Sequence, residues 1–398
     1  MAEVPNTGPL KGMKVIEMAH IMAGPVTGLM LADMGADVIK VERPDGDDTR
    51  RFLPPDIEGE SAAFMMMNRN KRGIRLDLKS KAGKAALIRL IEQADCLIEN
   101  YRHDTMEKLG LGYGELKKIN PGLIYCEISG FGRTGPYRER GGFDLIAQGM
   151  SGLMSITGEA PGRPPVKVGA PVSDITAGIL GAMGCAAAYA HKLKTGEGQR
   201  VDTSLFEAGI THTYWQSAIC FATGTAPGPM GSAHPLNAPY EAFRTADGWL
   251  NLGAANQTNW ERMLKVIDAE HLADNPSFAS NRTRMENRAE LAEALAPYFK
   301  PATTQHWLEA LEAAGVPAGP VLAIDDMHAD PQTIARDMVP EVDHPVAGTV
   351  KTIGAPVKFH GTPAGVKRPA PLLGEHTEEV LAEAGFTADE IKAVIDGE

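Results

Sequence analysis

Two short apolar runs near the start of the chain decide the fold: residues 13–18 read MKVIEM and residues 36–42 read ADVIKVE. Residues 24–34, between them, have the pattern of a helix. The second run ends in the turn sequence RPDGD at 43–47. A strand, a helix and a strand in this order predict two parallel strands joined by a crossover helix.

The same alternation continues along the chain, with a helix predicted over 80–94 and strands over 96–99 and 123–129. We therefore expect an α/β protein whose large domain is built around a Rossmann-like parallel sheet. Ligands of such sheets bind beyond the carboxyl ends of the strands. The candidate binding positions are those that follow four strand ends: Met18, Glu42, Glu99 and Ser129.

The later part of the chain changes in composition. Segments 175–193 and 204–223 are apolar on most faces, which predicts two buried helices. Residues 224–239 then carry four prolines and three glycines, which indicates a linker or mobile loop. A β-hairpin is predicted over 240–253, followed by amphipathic helices and a strand-like C-terminal part. The expected organisation is a large domain over 1–223, a linker over 224–239, a smaller α+β domain over 240–334, and a return to the large domain over 335–398.

Composition and charge exclude several classes of function. The 398 residues include 39 Lys and Arg against 51 Asp and Glu, a net charge of -12, which argues against nucleic acid as a partner. The four cysteines share no CxxC spacing and are expected to be buried free thiols. The first residues lack the apolar core of a secretory signal, and the apolar stretch 175–190 is shorter than the roughly 20 residues of a membrane span. We expect a cytoplasmic protein with no membrane partner.

The common catalytic motifs are missing from the sequence. The eleven histidines form no HxH or HExxH motif, so no metal site is expected. A Walker A loop and a GxSxG elbow are also lacking. The glycines at 110–114 do not follow a strand as a dinucleotide loop requires, and a plain turn explains them better.

Asp174 lies between an extended segment and the long apolar helix. One interpretation is a helix N-cap, a position that aspartate favours. The other is a partly desolvated carboxylate that faces a cavity and attacks an activated acyl group, with nearby amides stabilising an oxyanion. Sequence pattern leaves both interpretations open.

A resemblance to a known family adds to this. The ordered motifs LKGMKVIE at 10–17, GADVIKVERP at 35–44, NKRG at 70–73 and ENYR at 99–102 resemble those of the class III CoA-transferases, the family of formyl-CoA transferase and carnitine CoA-transferase. Further matching segments extend the resemblance over nearly the whole chain: GFD at 142–144, Asp174 with TAG at 176–178, TGEGQ at 195–199 and LGEHT at 373–377.

The resemblance implies the fold, the assembly and the chemistry. Two subunits are expected to interlock as links of a chain, each a ring closed by its large and small domains. Asp174 corresponds to the family's catalytic aspartate, which attacks the thioester of an acyl-CoA and passes CoA to a small carboxylic acid through covalent intermediates. Acyl-CoA is then a substrate, and no permanently bound cofactor is expected.

Carried over position by position, the resemblance also implies the CoA-binding residues. Arginine and lysine suit the CoA phosphates, and Tyr101 offers a ring face to adenine. The implied set is Ile21, Met22, Ala23, Arg43, Leu76, Lys79, Asn100, Tyr101, Arg102, Lys108, Arg140 and Phe143.

Some positions depart from the family pattern. The region 227–234 lacks the run of glycines that covers the active site of formyl-CoA transferases, and Met22 replaces a glutamine of that branch. These differences argue for another acid than the oxalate/formate pair. The alternatives are an α-methylacyl-CoA racemase of the same fold, a CoA-binding protein without turnover, and a NAD-dependent dehydrogenase. Racemases have a histidine where this chain has Phe143, which cannot exchange a proton.

Overall fold

A computed structural model describes residues 7–397 of the protein. A parallel sheet of six strands lies at the centre of its larger part. The strands of the chain are β1 Lys14–Glu17, β2 Asp37–Glu42, β3 Asp56–Ile57, β4 Glu60–Ser61, β5 Arg72–Arg75, β6 Cys96–Glu99, β7 Ile124–Ser129, β8 Arg200–Ser204, β9 Tyr240–Arg244, β10 Trp249–Gly253, β11 Ala318–Pro320, β12 Glu341–His344 and β13 Gly348–Lys351.

Helices follow most of the strands. They are α1 Ala23–Asp33, α2 Ala62–Asn68, α3 Lys81–Glu92, α4 Thr105–Lys108, α5 Tyr113–Ile119, α6 Asp144–Met150, α7 Leu153–Ile156, α8 Val172–Thr195, α9 Leu205–Thr211, α10 Tyr214–Thr223, α11 Gln257–Val266, α12 Asn281–Glu286, α13 Arg288–Phe299, α14 Thr304–Ala313, α15 Ile324–Ala329, α16 Pro331–Ala335, α17 Thr377–Glu383 and α18 Ala388–Asp396. Short 3-10 helices span Asp48–Arg51, Glu270–Asp274 and Pro276–Phe278.

The sheet has the strand order β5-β2-β1-β6-β7-β8, and neighbouring strands are parallel. Along the chain this is the order 3-2-1-4-5-6 of a Rossmann fold, so the predicted Rossmann-like sheet is confirmed. The order reverses between β1 and β6, where Val15 pairs with Cys96. A crevice opens at such a reversal, beyond the carboxyl ends of the two strands.

Both faces of the sheet are buried, as parallel sheets require. On one face Ile16, Ile39 and Leu97 pack with the hydrophobic residues of α3 and α17. On the other face Val15 and Val38 pack with residues of α1 and α8. Successive side chains of a strand point to opposite faces, which is why the runs VI in β1 and β2 are apolar throughout.

Helix α8 carries Asp174 in its first turn and is longer than the predicted apolar stretch. Among the described residues it is the one helix long and apolar enough to cross a membrane, by length and composition alone. It packs against α1, α9, β7 and β8. The backbone of Gly178 makes this packing close, because a Cβ there would lie 2.6 Å from Val26 Cβ.

The prediction of a second buried helix over 204–223 is wrong. The segment divides into α9 and α10, and α10 has no buried residue. Its aromatic side chains are exposed instead, Tyr214 by 73%, Trp215 by 58% and Phe221 by 87%. The apolar pattern of this segment therefore marks side chains that the single chain leaves exposed.

The described residues form two compact units. The first contains the chain up to Leu153, Val168–His212 and the part from Pro331 onward, and it includes the six-stranded sheet. The second contains Met154–Lys167 and Thr213–Asp330, with the antiparallel sheet β11-β10-β9 and its own core around Trp260 and Phe299. The hairpin predicted over 240–253 is present as β9 and β10. The domain boundaries expected at 223, 239 and 334 stay predictions.

Candidate functional site

A cavity of about 340 Å³ lies where the loops after β1, β6 and β7 meet, at the reversal of strand order. It is lined by residues 20–23, 100–103, 128–130 and 138–143, together with Asp48, Arg133, Asp174 and Leu205. All of these residues belong to the first unit. The volume and position are those of a small-molecule site in a Rossmann-like sheet.

Most of the residues expected at a CoA site line this cavity. They are Ile21, Met22, Ala23, Asn100, Tyr101, Arg102, Arg140, Phe143 and the candidate nucleophile Asp174. Arg43 instead lines an adjoining cavity of about 60 Å³. The two cavities share His20, Asp48 and Tyr101, so Arg43 borders the same region.

Three expected residues lie elsewhere. The Leu76 side chain is 1% exposed and packs in the hydrophobic core, which leaves only its backbone for a ligand. Lys79 follows in an exposed turn, where its amide donates to Asp77 Oδ1 at 2.9 Å. Lys108 ends helix α4. Neither lysine lines either of the two cavities in the described part of the chain.

Asp174 is not a helix N-cap, and that interpretation is wrong. Pro171 occupies the N-cap position of α8, and Asp174 lies inside the first turn. Burial, and then the neighbouring charge of Asp144, raise the pKa of Asp174 to about 7. No hydrogen bond to its carboxyl group is found within residues 7–397. Asp174 is therefore a poorly solvated carboxyl group at the wall of the cavity.

Asp144 holds the start of α8 in place. It begins α6, and its Oδ1 accepts a hydrogen bond from the Ser173 amide at 2.9 Å. Its Oδ2 accepts from Gln148 Nε2 at 2.7 Å, and Gln148 Oε1 accepts from the Val168 amide at 2.9 Å. These bonds fix the peptide next to Asp174 and place a like charge near it, which disfavours its ionised form.

Two of the expected ligand residues are already bound to groups of the protein. Arg43 forms ion pairs with Asp45, at 2.9 Å, and with Asp48. Asn100 accepts from the His20 amide at 3.0 Å through Oδ1 and donates to the His20 carbonyl at 2.8 Å through Nδ2. The side-chain amide of Asn100 therefore acts on a loop rather than facing a ligand freely.

Sequence reasoning missed several charged or polar residues of the cavity, among them His20, Asp48, Arg133, Arg138 and Glu139. His20 follows the end of β1 and Arg133 follows the end of β7, positions at which ligands were expected, so a signal for both existed. Asp48 begins a short 3-10 helix and Arg138 and Glu139 lie in a turn, and no local pattern predicts where these segments run.

Arg133 joins the loop after β7 to two neighbouring strands. Its guanidinium donates to Glu99 Oε1 at 2.8 Å and to the Tyr101 carbonyl at 3.0 Å. Its Nε lies 3.2 Å from Glu127 Oε1. Burial nevertheless raises the pKa of Glu99 to about 7, although Arg133 opposes the shift.

Charged side chains of both signs line the cavity. Arg102 and Arg140 line it, and the Arg140 guanidinium lies 4.0 Å from the ring centroid of Tyr137, whereas Arg138 pairs with Glu139 at 3.0 Å. Guanidinium groups bind phosphate and carboxylate through charge-assisted hydrogen bonds. Arg102 and Arg140 can therefore hold an anionic ligand in the cavity that Asp174 also lines.

Comparison with known proteins agrees with this geometry. The model of CoA-transferase family III matches residues 10–377. The chain is 41% identical to the succinate–glutarate CoA-transferase of Agrobacterium fabrum, over 96% of this chain and 98% of the relative. It is 36% identical to the succinyl-CoA:glutarate CoA-transferase of Homo sapiens, over 96% of this chain and 87% of the relative.

A solved structure has the same fold. The crystal structure of a CaiB/BaiF family protein from Brucella suis matches with a TM-score of 0.84 and 40% identity, over 95% of this chain and all of that one. The sheet order, the cavity and these matches lead to one conclusion. The chain belongs to CoA-transferase family III, the CaiB/BaiF family, and is a CoA-transferase.

Proposed function

We propose that the protein transfers CoA from an acyl-CoA thioester to a free carboxylic acid through covalent intermediates on Asp174. The observation that supports this most strongly is the environment of the Asp174 carboxyl group, which lines the cavity and whose pKa burial raises to about 7. A carboxylate with little solvation is a better nucleophile than one in water.

The proposed reaction needs no external energy source. An oxygen of Asp174 attacks the thioester carbon, the C–S bond breaks, and a mixed anhydride and CoA thiolate form. The thiolate attacks the aspartyl carbonyl, which releases the donor acid and leaves CoA as an aspartyl thioester. The acceptor carboxylate attacks the carbonyl carbon of this thioester, the C–S bond breaks, and a second anhydride and CoA thiolate form. The thiolate then attacks the acceptor's acyl carbon, so that acceptor-CoA leaves and the Asp174 carboxylate is restored.

The residues around the cavity provide the binding groups for this proposal. Arg43, Arg102 and Arg140 would contact the CoA phosphates, and the Tyr101 ring would pack against an apolar part of the ligand. Ile21, Met22 and Phe143 border the cavity beside Asp174 and would contact the acyl group. Phe143 cannot donate or accept a proton, which argues against racemisation at this site.

We further propose that the acids exchanged are small dicarboxylates, with succinyl-CoA as donor. The names of the two relatives, with succinate or succinyl-CoA and glutarate, support this class. The cytoplasmic location stays a prediction.

The first prediction concerns the covalent intermediate. Incubation with succinyl-CoA is expected to give an adduct on the peptide that contains Asp174, because its carboxylate is the proposed nucleophile. Intact-protein mass spectrometry, with hydroxylamine added to a parallel sample, detects the adduct and its lability. Asp174→Ala is expected to abolish adduct and transfer while CoA binding persists.

The matched control is Asp396→Asn, which removes an exposed carboxyl group on α18 and is expected to leave the adduct unchanged. Transfer near the wild-type rate in Asp174→Ala would contradict the mechanism. The absence of an adduct with succinyl-CoA, but its presence with another acyl-CoA, would contradict only the proposed donor.

The second prediction follows from the raised pKa of Asp174, about 7. Only the ionised carboxylate attacks, so the single-turnover rate of adduct formation is expected to rise with pH through about 7 and then level off. Asp144→Asn keeps an oxygen for the Ser173 amide but removes the like charge, so the midpoint is expected to move to lower pH.

The ionisable groups of succinyl-CoA are the same in both measurements. A difference between the two pH profiles therefore reports on the protein. An unchanged midpoint in Asp144→Asn, or a rate that falls as the pH rises from 5 to 8, would contradict the assignment of Asp174 as the titrating nucleophile.

The third prediction concerns Arg43. Arg43→Ala is expected to raise the KM for acyl-CoA roughly tenfold with little change in kcat, since a charge-assisted bond to phosphate is worth about 1.5–3 kcal/mol. Arg51→Ala is the control, because Arg51 pairs with the same Asp45 and Asp48 but lines neither cavity. Equal increases in KM in both variants would mean that loss of the local ion pairs, not of a phosphate contact, is the cause.

We also propose that the protein is a homodimer. Apolar side chains are exposed on each of two helices, Ile179 and Met183 on α8 and the aromatic residues on α10, and large exposed apolar side chains of this kind often mark an interface. Sedimentation velocity at micromolar concentration is expected to give a dimer. A monomer under these conditions would contradict the proposal.

A further inference from the structure

The loop from Ala19 to Met22 joins β1 to α1 and has an unusual backbone. Ile21 has φ of +67°, the left-handed region that a β-branched residue rarely adopts. A strained conformation of this kind persists only when surrounding groups hold it. The loop also forms one wall of the cavity, through His20, Ile21 and Met22.

Side chains from other segments hold this loop at three successive residues. Lys40 Nζ donates to the Ala19 carbonyl at 3.0 Å. Asn100 binds both the amide and the carbonyl of His20, at 3.0 and 2.8 Å. Asp47 Oδ1 accepts from the Ile21 amide at 3.4 Å.

The two charged side chains among these, Lys40 and Asp47, are themselves held by buried ion pairs. Lys40 Nζ lies 3.1 Å from Glu17 Oε1 and 2.8 Å from Asp47 Oδ2, and these three side chains are at most 2% exposed. The other oxygen of Glu17 lies 2.7 Å from Lys71 Nζ. Two lysines, Lys40 and Lys71, and two carboxylates, Glu17 and Asp47, thus form a buried cluster without net charge that supports the loop.

Asn100 is the part of this arrangement that can be changed without leaving a charge unpaired in the core. Its Oδ1 and Nδ2 each make a hydrogen bond to His20, so the orientation of the side-chain amide is fixed by the loop. The resemblance to the family suggested a ligand contact at this position, whereas the hydrogen bonds place its action on the loop.

We propose that Asn100 is a positioning residue: by clamping both backbone groups of His20, it holds the strained Ile21–Met22 peptide against the cavity beside Asp174. The inference rests on the proposed function, because the loop matters for turnover only if Asp174 reacts there. Displacement of a site wall by about 1 Å is enough to lower a rate by about 100-fold.

The test uses Asn100→Leu, which keeps the branched shape and the number of heavy atoms and removes both bonds. We expect kcat for CoA transfer to fall about 100-fold, while the Kd for CoA, measured by calorimetry, stays unchanged. Hydrogen exchange of the peptide that covers residues 18–23 is expected to become faster. Asn100→Asp keeps the acceptor for the His20 amide but not the donor. Its kcat and its exchange rate at residues 18–23 are therefore expected to lie between those of the wild type and Asn100→Leu. This variant remains informative if Asn100→Leu does not fold.

Asn120→Leu is the matched control. Asn120 is also half-buried and binds backbone groups, with its Nδ2 donating to the carbonyls of Ile91 and Ala94, both at 2.9 Å, and its Oδ1 accepting from Gly122. It lies before β7, at the amino end of that strand and outside the lining of the cavity. This variant is expected to lose stability without loss of kcat or faster exchange at 18–23.

Three results would overturn the inference. A higher Kd for CoA with kcat retained in Asn100→Leu would make Asn100 a ligand contact. An equal loss of kcat in Asn120→Leu would make the effect one of general stability. Unchanged hydrogen exchange at residues 18–23 would mean that Asn100 does not hold the loop. Exchange is measured without turnover, so this result is independent of the proposed reaction. Failure of the reaction itself would be seen as the lack of any adduct in the wild-type protein.

Discussion

The structure depends on one buried carboxylate, Glu17, at the end of the first strand. It is fully buried, and its two oxygens face Lys40 of β2 and Lys71 of the segment before β5. Leaving any of these charges unpaired in the core costs several kcal/mol. The three segments must therefore assemble together and in one register. Gly28 on α1 is part of the same constraint, because a Cβ there would lie 1.8 Å from Glu17 Oε2.

A second buried carboxylate, Asp174, has the opposite surroundings. Glu17 has a lysine on each oxygen, whereas the only charged neighbour that shifts the pKa of Asp174 is another carboxylate, Asp144. A fully paired carboxylate is inert and holds structure, and an unpaired one is costly but reactive. A buried carboxyl group thus stabilises the fold at Glu17 and is available for the proposed reaction at Asp174, because the neighbouring charges differ.

The sequence predicted the parts of the molecule that local pattern controls. The strands at 13–18 and 36–42, their parallel pairing and the hairpin at 240–253 follow from apolar periodicity, the intervening helix and turn residues. The cavity lining around Ile21, Asn100 and Asp174 came from the family resemblance together with the positions of strand ends.

What failed depended on long-range contacts. The N-cap at Pro171 instead of Asp174 and the exposure of α10 are set by which segments meet, and periodicity does not report this. Apolar pattern also cannot distinguish a surface that faces the chain's own core from one that faces another molecule. Arg133 was overlooked because its role arises from carboxylates on two different strands, Glu99 and Glu127.

The ion pairs of Arg43 with Asp45 and Asp48 have a consequence for how tightly a nucleotide can be held. A phosphate that reaches this guanidinium replaces counter-ions that are already present, so the net gain in free energy is the difference between two contacts of the same kind. Arg43 is therefore expected to hold a phosphate less tightly than an unpaired arginine would. An enzyme that must release one CoA ester in each cycle and accept another gains from an anchor of moderate strength.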